Sequence, residues 1–303
     1  MKTNILITGA SGLVGTRLTE LLLNKGCSVS HLSHSKKKGA VKTFVWDINR
    51  SVIEPAALVG INTIIHLAGA GVAEKRWSKK RKQEILESRT KSSSLLYKEL
   101  KKGNHQVTSF ISASAIGYYG FENDENVITE RSAPGDDFLA QVTKKWEDEV
   151  DQISSLGIRV VKLRIGIVLS ERGGALKQMA LPIKFFAGAP LGTGQQNLSW
   201  IHLDDLCGMF IKAVEDNQLK GSYNATGPYA VTNLEMTKAI AEALHRPLLL
   251  PPVPGFVLKI ILGKMAEIVL KGSKVSSEKI QQTGFKFQFT DLTTALEDLL
   301  KKD

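Results

Sequence analysis

Short continuous runs of apolar residues alternate, in the first half of the chain, with segments whose apolar residues recur at helical spacing. The first run, Asn4–Thr8, ends at Gly9, and a helical pattern then extends from Leu13 to Leu22. Further strands are predicted at 27–32, 43–46, 63–67, 107–112 and 158–163, with helices at about 79–102 and 138–155. Because the strand runs are continuous, they indicate a parallel sheet covered on both faces. The predicted fold is a Rossmann-type, doubly wound α/β sheet.

The second half of the chain is less regular and richer in glycine and proline. Helices are predicted at about 204–215 and 233–244, and four prolines between residues 246 and 255 indicate a linker. We therefore expect a Rossmann domain over 1–245, with pocket-forming insertions from about residue 166. A smaller C-terminal α/β region, which combines a substrate region and a family-specific tail, is expected over 246–303.

The stretch from Phe256 to Lys271 is apolar and interrupted by a few charges, among them Lys259 and Lys264. A helix that packs a broad apolar face on the core is the commoner explanation of this pattern, and it is our prediction. A helix that lies on a membrane surface is the alternative.

Composition narrows the class of protein. The chain has 303 residues, of which 43% are hydrophobic and 23% charged, as in an ordinary globular protein. Two cysteines, Cys27 and Cys207, are too few for a disulfide-stapled secreted scaffold. No apolar run approaches the roughly 20 residues that span a bilayer, and the first residues lack the apolar stretch of a signal peptide. A cytoplasmic protein is expected.

The net charge of +10 leaves nucleic acid, an anionic membrane surface or a phosphate-rich small ligand open as partners. The basic tracts, at 36–38, 79–82 and 101–102, are short and lack the interleaved aromatic residues of a single-strand binding platform. Solvated helix surface explains them better. We therefore expect a small-molecule substrate and no membrane, in a monomer or homodimer, and we keep nucleic acid as a minor alternative.

A glycine-rich segment between the first strand and the first helix carries the strongest chemical signal. It reads Gly9-Ala10-Ser11-Gly12-Leu13-Val14-Gly15. Gly9 allows a tight turn, Gly12 lets the backbone approach a pyrophosphate, and Gly15 allows the helix to pack closely on the sheet. The start of the helix adds N–H donors and the positive end of its dipole. The segment therefore predicts a dinucleotide site formed by Gly9, Ser11, Gly12, Leu13, Val14 and Gly15.

The GxxGxxG spacing resembles that of the short-chain dehydrogenase/reductase superfamily, and other motifs strengthen the resemblance. They are Asp47-Ile48, the HLAG run at 66–69, the LRIGIVL run at 163–169 and the WIHLDD run at 200–205. The ISASAIGYYG run at 111–120 and the pair Ser88-Arg89 resemble an atypical group, named as nucleoside-diphosphate-sugar epimerases and SulA-like cell-division inhibitors. This resemblance implies cofactor contacts from Asp47, Ile48, Leu67, Ala68, Gly69, Ser112 and Arg164.

The end of the second strand bears on the choice between NAD and NADP. An acidic residue there would bond the ribose 2′-hydroxyl of NAD, whereas a basic residue suits the 2′-phosphate of NADP. The stretch reads Ser33-His34-Ser35-Lys36 and contains no carboxylate. NADP is therefore the favoured cofactor, with His34 and Ser35 near its phosphate. NAD, bound without a specific ribose contact, is the alternative.

The catalytic residues depart from the superfamily pattern, which combines a Ser or Thr after the fifth strand with Tyr-x-x-x-Lys on the next helix. Ser114 fits the hydroxyl position, but alignment on Glu147 places Leu139 and Thr143 where Tyr and Lys are expected. Tyr118 could supply the phenol from the loop instead. The alternative is that Tyr118 and Tyr119 only line the pocket.

We expect the substrate pocket to include Tyr119, Trp200 and His202, although His202 could equally cap or pack the following helix. No two of the six histidines share metal-ligand spacing, so no metal site is predicted.

Two functional hypotheses follow. One is an NADP-dependent oxidoreductase or epimerase that acts on a hydroxyl or carbonyl group, with a nucleotide sugar as one candidate substrate. The other is an NADP-binding regulator or sensor without turnover.

Overall fold

The computed structural model describes residues 3–36, 39–121 and 127–301, and it is organised around one eight-stranded sheet. Its strands have the order β11-β7-β6-β5-β1-β2-β3-β4, and all are parallel except β4 at one edge. In chain order the strands are β1 (Asn4–Thr8), β2 (Ser28–Ser33), β3 (Lys42–Asp47), β4 (Val52–Ile53), β5 (Thr63–His66), β6 (Ser109–Ala115), β7 (Arg159–Ile165), β8 (Ile167–Leu169), β9 (Asn197–Leu198), β10 (Trp200–His202), β11 (Gly221–Ala225) and β12 (Val231–Thr232).

Helices cover both faces of this sheet. They are α1 (Leu13–Asn24), α2 (Lys79–Lys101), α3 (Phe138–Asp151), α4 (Gly174–Lys184), α5 (Leu203–Glu215), α6 (Asn233–Ala243), α7 (Gly255–Leu262), α8 (Glu267–Leu270), α9 (Glu278–Gln281) and α10 (Leu292–Leu300). Helices α1 and α5 pack together, as do α2 and α3. The chain leaves β1 toward β2 but β5 toward β6, so right-handed crossovers place α1 and α2 on opposite faces. The doubly wound Rossmann-type fold is confirmed.

The chain order of the sheet reverses between β1 and β5, and this position determines where a ligand can bind. Strands that follow β1 lie on one side, whereas β5 and the strands after it lie on the other. The loops that leave the carboxyl ends of β1 and β5 therefore diverge and open a crevice between them. The largest apolar cluster of the protein, which includes the buried Ile5, Ile7, Ile64 and Ile65, makes these two strands rigid.

The C-terminal residues share a second apolar cluster with earlier parts of the chain. Leu292, Leu296 and Leu299 of α10 pack in it with residues of α4 and α6. Residues 271–277 form a segment, which we call the strap, that is hydrogen-bonded to an earlier part of the chain. Ser199 Oγ donates to the Ser273 carbonyl oxygen at 2.8 Å and accepts from the Val275 N–H at 3.0 Å. The strap therefore forms one wall of the space beyond β7.

The segment from Phe256 to Lys271 does not pack a broad apolar face on the core, so that prediction was wrong. Phe256, Ile260 and Ile261 are 67%, 71% and 61% exposed, and of the residues of α7 only Leu258 is buried. The reason is geometric. The apolar side chains of this eight-residue helix point in all directions, but only one side of the helix contacts the rest of the protein. Gly263, with a φ of +60°, ends the helix. In the described ranges, no helix combines the length and the apolar character needed to cross a membrane.

A buried histidine lies at the carboxyl end of β5. His66 has no exposed surface, and its Nδ1 lies 2.8 Å from Thr8 Oγ1, while its Nε2 lies 3.2 Å from the hydroxyls of Ser92 and Ser93. Burial lowers the pKa of His66 to about 3, and the positive charge of Arg89 acts in the same direction. The neutral imidazole therefore ties β1, β5 and α2 together.

We expect this histidine to make folding pH-dependent. The unfolded chain binds a proton on His66 near pH 6.5 and the folded chain only near pH 3, so stability is lost as the pH falls through this window. Between pH 7 and pH 5 the loss from this group is about 2 kcal/mol. Urea unfolding of the wild type and of His66→Gln at several pH values measures it. The two free-energy curves should converge toward pH 5, and parallel curves would contradict the assignment.

A second buried polar network joins β6, β7 and α3 around Glu147. The carboxylate of Glu147 accepts bonds from Arg164 Nε at 2.8 Å, from Arg164 Nη2 at 2.9 Å and from Ser114 Oγ at 2.6 Å. Lys162 Nζ lies 3.1 Å from the same carboxylate. Burial alone would raise the pKa of Glu147, but these hydrogen bonds and charges hold it below its ordinary value. The network fixes α3 against the two strands.

Removal of the Glu147 charge should destabilise the protein strongly. In Glu147→Gln, the buried Arg164 and Lys162 lose a counter-charge, and breaking a buried pair in this way costs about 3–5 kcal/mol. The matched control is Asp148→Asn, the same chemical change one residue away, where the carboxylate is exposed and pairs, within the described part of the chain, only with Lys144. That change should cost about 1 kcal/mol or less. Equal costs in urea unfolding would show that the network does not stabilise the fold.

Candidate functional site

A cleft of about 570 Å³ opens at the carboxyl ends of β1, β2 and β5, where the chain order of the sheet reverses. Of the predicted cofactor residues, six lie among those that line it. They are Gly9, Ser11, His34, Ile48, Ala68 and Gly69. Residues that the sequence did not single out also contribute to the walls, among them Thr16, Thr19, Thr43 and Trp46. We call this space the dinucleotide cleft.

The turn between β1 and α1 has no room for side chains at two of its glycines. Gly9 has a φ of +67°, and a Cβ there would lie 2.7 Å from the carbonyl carbon of Leu67. A Cβ on Gly15 would lie 2.6 Å from the Cα of Ala10. Both contacts are far shorter than van der Waals distance, so only glycine lets α1 start this close to the strand ends.

The start of α1 is suited to an anion. Gly12 is its N-cap, no side chain caps the helix, and its first turn contains no acidic residue. The N–H groups of Leu13 and Val14 belong to that first turn, where an α-helix has no internal acceptors for them. A phosphate placed there would meet these donors and the positive end of the helix dipole. The residues present therefore fit the pyrophosphate of a dinucleotide.

The far end of the cleft is formed by β2 and β3. His34 lines it, and its ring lies 6.1 Å from the ring of Trp46, whereas Ser35 is the next residue on the exposed loop. Ile48 lines the cleft, but Asp47 accepts bonds from the N–H groups of Asn49 and Arg50 and so closes its own turn.

Two carboxylates lie in the lining of the cleft, and arginines neutralise both. Glu20 forms ion pairs with Arg17 at 3.3 Å and with Arg172 at 3.2 Å. Glu84 pairs with Arg81 at 2.9 Å, and the hydrogen bond from Arg81 lowers the pKa of Glu84. Their charges are therefore compensated, and they add little repulsion toward an anionic cofactor.

A second cavity, of about 260 Å³, lies beyond the dinucleotide cleft, and we call it the inner pocket. Strand ends of β6 and β7, helix α3 and the C-terminal segment around the strap form its walls. Most of its lining is apolar, from residues such as Val72, Ile116, Leu139, Val142, Trp146, Ile165 and Ile268. Arg89 and Lys271 supply its two charges, and no carboxylate occurs among the described residues that line it.

The positions at which the superfamily pattern places Tyr and Lys do face the inner pocket. Leu139 and Thr143 both line it, one helical turn apart on α3. The Thr143 hydroxyl donates to the Leu139 carbonyl oxygen at 2.8 Å. In the register set by Glu147, the pocket therefore has an apolar side chain and a hydroxyl bonded to its own helix where a phenol and an ammonium were expected.

The two predicted catalytic residues lie outside this lining. Ser114 is buried and donates to Glu147, while its neighbour Ala115 lines the inner pocket instead. The Tyr118 ring packs on the guanidinium of Arg164, with 3.5 Å between the guanidinium carbon and the ring centroid. Side chains alternate along a strand, so Ser114 and Ala115 point to opposite sides of β6.

Tyr119 and Arg164, predicted for the substrate and the cofactor, belong to the buried network around Glu147. The Tyr119 hydroxyl donates to Asn224 Oδ1 at 2.6 Å and accepts from Arg164 Nη1 at 2.9 Å. Burial raises the pKa of Tyr119 to about 12, against the opposing charge of Arg164. A phenol held in this way is a poor proton donor and acts as structure.

The remaining predicted residues also serve the fold in this structure. Ser112 is buried and donates to the Ala113 carbonyl oxygen, the Leu67 side chain packs against the core, and Trp200 is buried in the second apolar cluster. His202 caps α5, because its Nδ1 accepts from the Asp204 N–H at 3.1 Å, and its ring centroid lies 3.8 Å from that of Phe289. Capping was the alternative that the sequence left open.

The sequence predicted a C-terminal substrate region but did not indicate which of its residues line the inner pocket. Ile268, Lys271, Gly272 and Ser273 line the pocket, although they follow the residues they contact by some 70 positions or more. Gly272 lies so close to the Asn197 carbonyl oxygen that no Cβ would fit. In the sequence, Arg89 was marked only as a member of the Ser88-Arg89 pair, and that pair did not indicate a chemical role for it.

Comparison with known proteins agrees with this geometry. Residues 5–226 match the NAD-dependent epimerase/dehydratase family, and residues 253–299 match a domain of unknown function, DUF1731. The epimerase family protein YfhF of Bacillus subtilis is 38% identical over 300 residues, which cover 98% of each chain.

Two solved structures extend the likeness to three dimensions. Human epimerase family protein SDR39U1, solved with NADPH, superposes with a TM-score of 0.89 at 30% identity, over 99% of this chain and 100% of that one. A nucleoside-diphosphate sugar epimerase from Corynebacterium glutamicum gives a TM-score of 0.81 at 31% identity, over 99% of this chain and 58% of that one. The chain therefore belongs to the NAD-dependent epimerase/dehydratase family, as an SDR39U1-like atypical short-chain dehydrogenase/reductase with a DUF1731 segment.

Proposed function

We propose that this protein is an NADPH-dependent oxidoreductase of a small carbonyl compound. The observation that carries the proposal is the adjacency of two spaces with different chemistry. Gly69 lines the dinucleotide cleft, and a Cβ on it would lie 3.1 Å from the guanidinium carbon of Arg89, which lines the inner pocket. A dinucleotide that follows the cleft past Gly69 would bring its nicotinamide to the mouth of an apolar pocket. Such pockets at the carboxyl ends of the strands hold substrates in this kind of sheet.

We infer NADP rather than NAD from the end of β2. His34 and Ser33 line the cleft there, and no acidic residue follows the strand as far as Lys36. A carboxylate at this place would bond the ribose 2′-hydroxyl of NAD and repel the 2′-phosphate of NADP. The human relative was solved with NADPH, which supports the same choice.

The residues of the chain divide the work of such a reaction between them. When bound, the nicotinamide would give or take a hydride at the substrate carbon. The turn at Gly9 and the start of α1 hold the phosphates, the loop at Gly69 supports the nicotinamide end, and the apolar lining of the inner pocket packs against the carbon skeleton of the substrate. Because Leu139 and Thr143 replace Tyr and Lys, the proton for the carbonyl oxygen comes from solvent rather than from a phenol at that position.

The same two residues favour a second candidate function, a cofactor-binding regulator or sensor. A pocket that keeps its shape but has lost its phenol and ammonium could bind cofactor without turnover. The two functions differ in one observable. An oxidoreductase consumes NADPH with some small carbonyl compound, whereas a regulator shows cofactor binding and no consumption with any of them.

The thermal midpoint of unfolding should rise with NADPH and rise less with NADH. A ligand that binds only the native state stabilises it by RT ln(1 + [L]/Kd), which is about 2.7 kcal/mol at a hundredfold excess over Kd. In His34→Asp the new carboxylate would repel the 2′-phosphate and accept a bond from the 2′-hydroxyl, so the preference should reverse toward NADH.

The matched control is His245→Asp, the same chemical change at an exposed residue after α6. Its φ of +53° is one that Asp tolerates. This variant should keep the wild-type preference for NADPH. If neither cofactor shifts the midpoint of the wild type, the dinucleotide proposal fails. If both shift it equally in the wild type and in His34→Asp, the cofactor is not selected at His34.

A further inference from the structure

Arg89 has an unusual environment at the boundary between the dinucleotide cleft and the inner pocket. It lies on α2 next to Ser88, and the two residues hold both backbone groups of Ala70. The Ala70 N–H donates to Ser88 Oγ at 3.0 Å, and Arg89 Nη1 donates to the Ala70 carbonyl oxygen at 2.9 Å and to that of Ile85 at 3.0 Å. The guanidinium carbon lies 5.2 Å from the ring centroid of Trp146, which is another wall of the pocket.

The charge of this guanidinium is not compensated by the described part of the chain. The acceptors of Nη1 are neutral carbonyl groups, and no described carboxylate forms an ion pair with Arg89. A guanidinium has five N–H donors in a planar fork, so donors remain beyond those that hold the loop. Burial lowers the pKa of Arg89 to about 10, and the positive charge of Arg81 adds to this effect. A bound anion would therefore relieve an electrostatic cost that the fold maintains.

The size and lining of the inner pocket limit what such an anion can be. The volume of about 260 Å³ lies just below the range of ligand pockets, which measure roughly 300–1,000 Å³. A nucleoside diphosphate joined to a sugar is nearly as large as the dinucleotide itself, whose cleft measures about 570 Å³. The pocket suits a few apolar carbon atoms attached to one charged group.

We propose that the substrate is a small oxo acid with an apolar side chain, and that its carboxylate binds Arg89. The planar fork of a guanidinium matches a carboxylate with two parallel hydrogen bonds. This assignment rests on the proposed NADPH-dependent reduction and specifies its substrate class. A hydride passes from the dihydronicotinamide ring to the carbonyl carbon, the electron pair of the C=O π bond moves to the oxygen, and that oxygen takes a proton from solvent. The products are a hydroxy acid and NADP⁺.

The test measures binding to the protein saturated with NADP⁺, which cannot reduce a carbonyl group. The probes are 2-oxobutanoate, 3-oxobutanoate, 4-methyl-2-oxopentanoate and phenylpyruvate, each compared with its own neutral amide by isothermal titration calorimetry. We expect at least one acid to bind about tenfold or more tighter than its amide, since only the acid forms an ion pair with the Arg89 guanidinium. Quenching of Trp146 fluorescence, absent in Trp146→Phe, reports binding inside the pocket.

Substitutions at Arg89 separate charge from shape. Arg89→Gln should remove the preference for the acid over the amide, and Arg89→Lys should keep part of it, because a point charge lacks the fork. With NADPH, Arg89→Lys should raise KM for the acid more than it lowers kcat. The matched control is Lys91→Gln, which removes an exposed cation on the same helix, paired with Glu87, and should change neither value. Far-UV circular dichroism and the midpoint of urea unfolding, measured for every variant, report whether each still folds.

The outcomes distinguish this inference from the proposal on which it rests. If NADPH binds but no acid binds better than its amide, the oxo-acid assignment is wrong and the cofactor proposal stands. The same holds if the preference survives in Arg89→Gln. If no cofactor binds the wild type, the oxidoreductase proposal fails and takes the substrate assignment with it. A preference for the acid that disappears in Arg89→Gln, in a folded variant that still binds NADPH, supports both.

Discussion

The functional part of this structure depends on one close approach, that of the turn after β1 to the end of β5. Gly9 lies against the Leu67 and Ala68 backbone, and Gly15 lies against Ala10, with no space for a Cβ at either glycine. Because the backbone packs this tightly, the first turn of α1 starts at the level of the strand ends and faces the reversal point of the sheet. A methyl group would push the helix outward and close the space in which a pyrophosphate could lie.

The buried pair of Glu147 and Arg164 is the second organising interaction, and it explains why several suggestive side chains are structural. Ser114 and Tyr119 both bond to members of this pair, and Tyr118 packs on the same guanidinium. A buried ion pair is stable only when the remaining donors and acceptors are satisfied, and these hydroxyl groups do that. The hydroxyl-bearing residues to which the sequence assigned acid–base chemistry therefore stabilise this buried ion pair beneath the pocket.

Local sequence patterns were enough to predict most strands and helices, but they did not predict which side chains line the inner pocket. This difference has a physical cause. The strand at Asn4–Thr8 and the helix from Lys79 follow from local spacing, so they were predicted at or near their observed bounds. Whether Ser114 or Ala115 faces the pocket depends on a shift of one residue along β6, which reverses every side chain. The strap around Ser273 depends on contacts some 70 positions away or more, which no local pattern records.

Arg89 links the loop that borders the dinucleotide cleft to the wall of the inner pocket. Its guanidinium holds the Ala70 carbonyl group in the loop that borders the cleft, and the same guanidinium lines the inner pocket. Among the described residues this cation has no counter-charge, and an anion bound in the pocket would offset part of the free-energy cost of its desolvation. Since one side chain serves both spaces, an anion in the pocket and a cofactor in the cleft would stabilise the same conformation of the Gly69–Ala70 loop. Each would then favour the binding of the other, and substrate recognition would be linked to cofactor occupancy through a single residue.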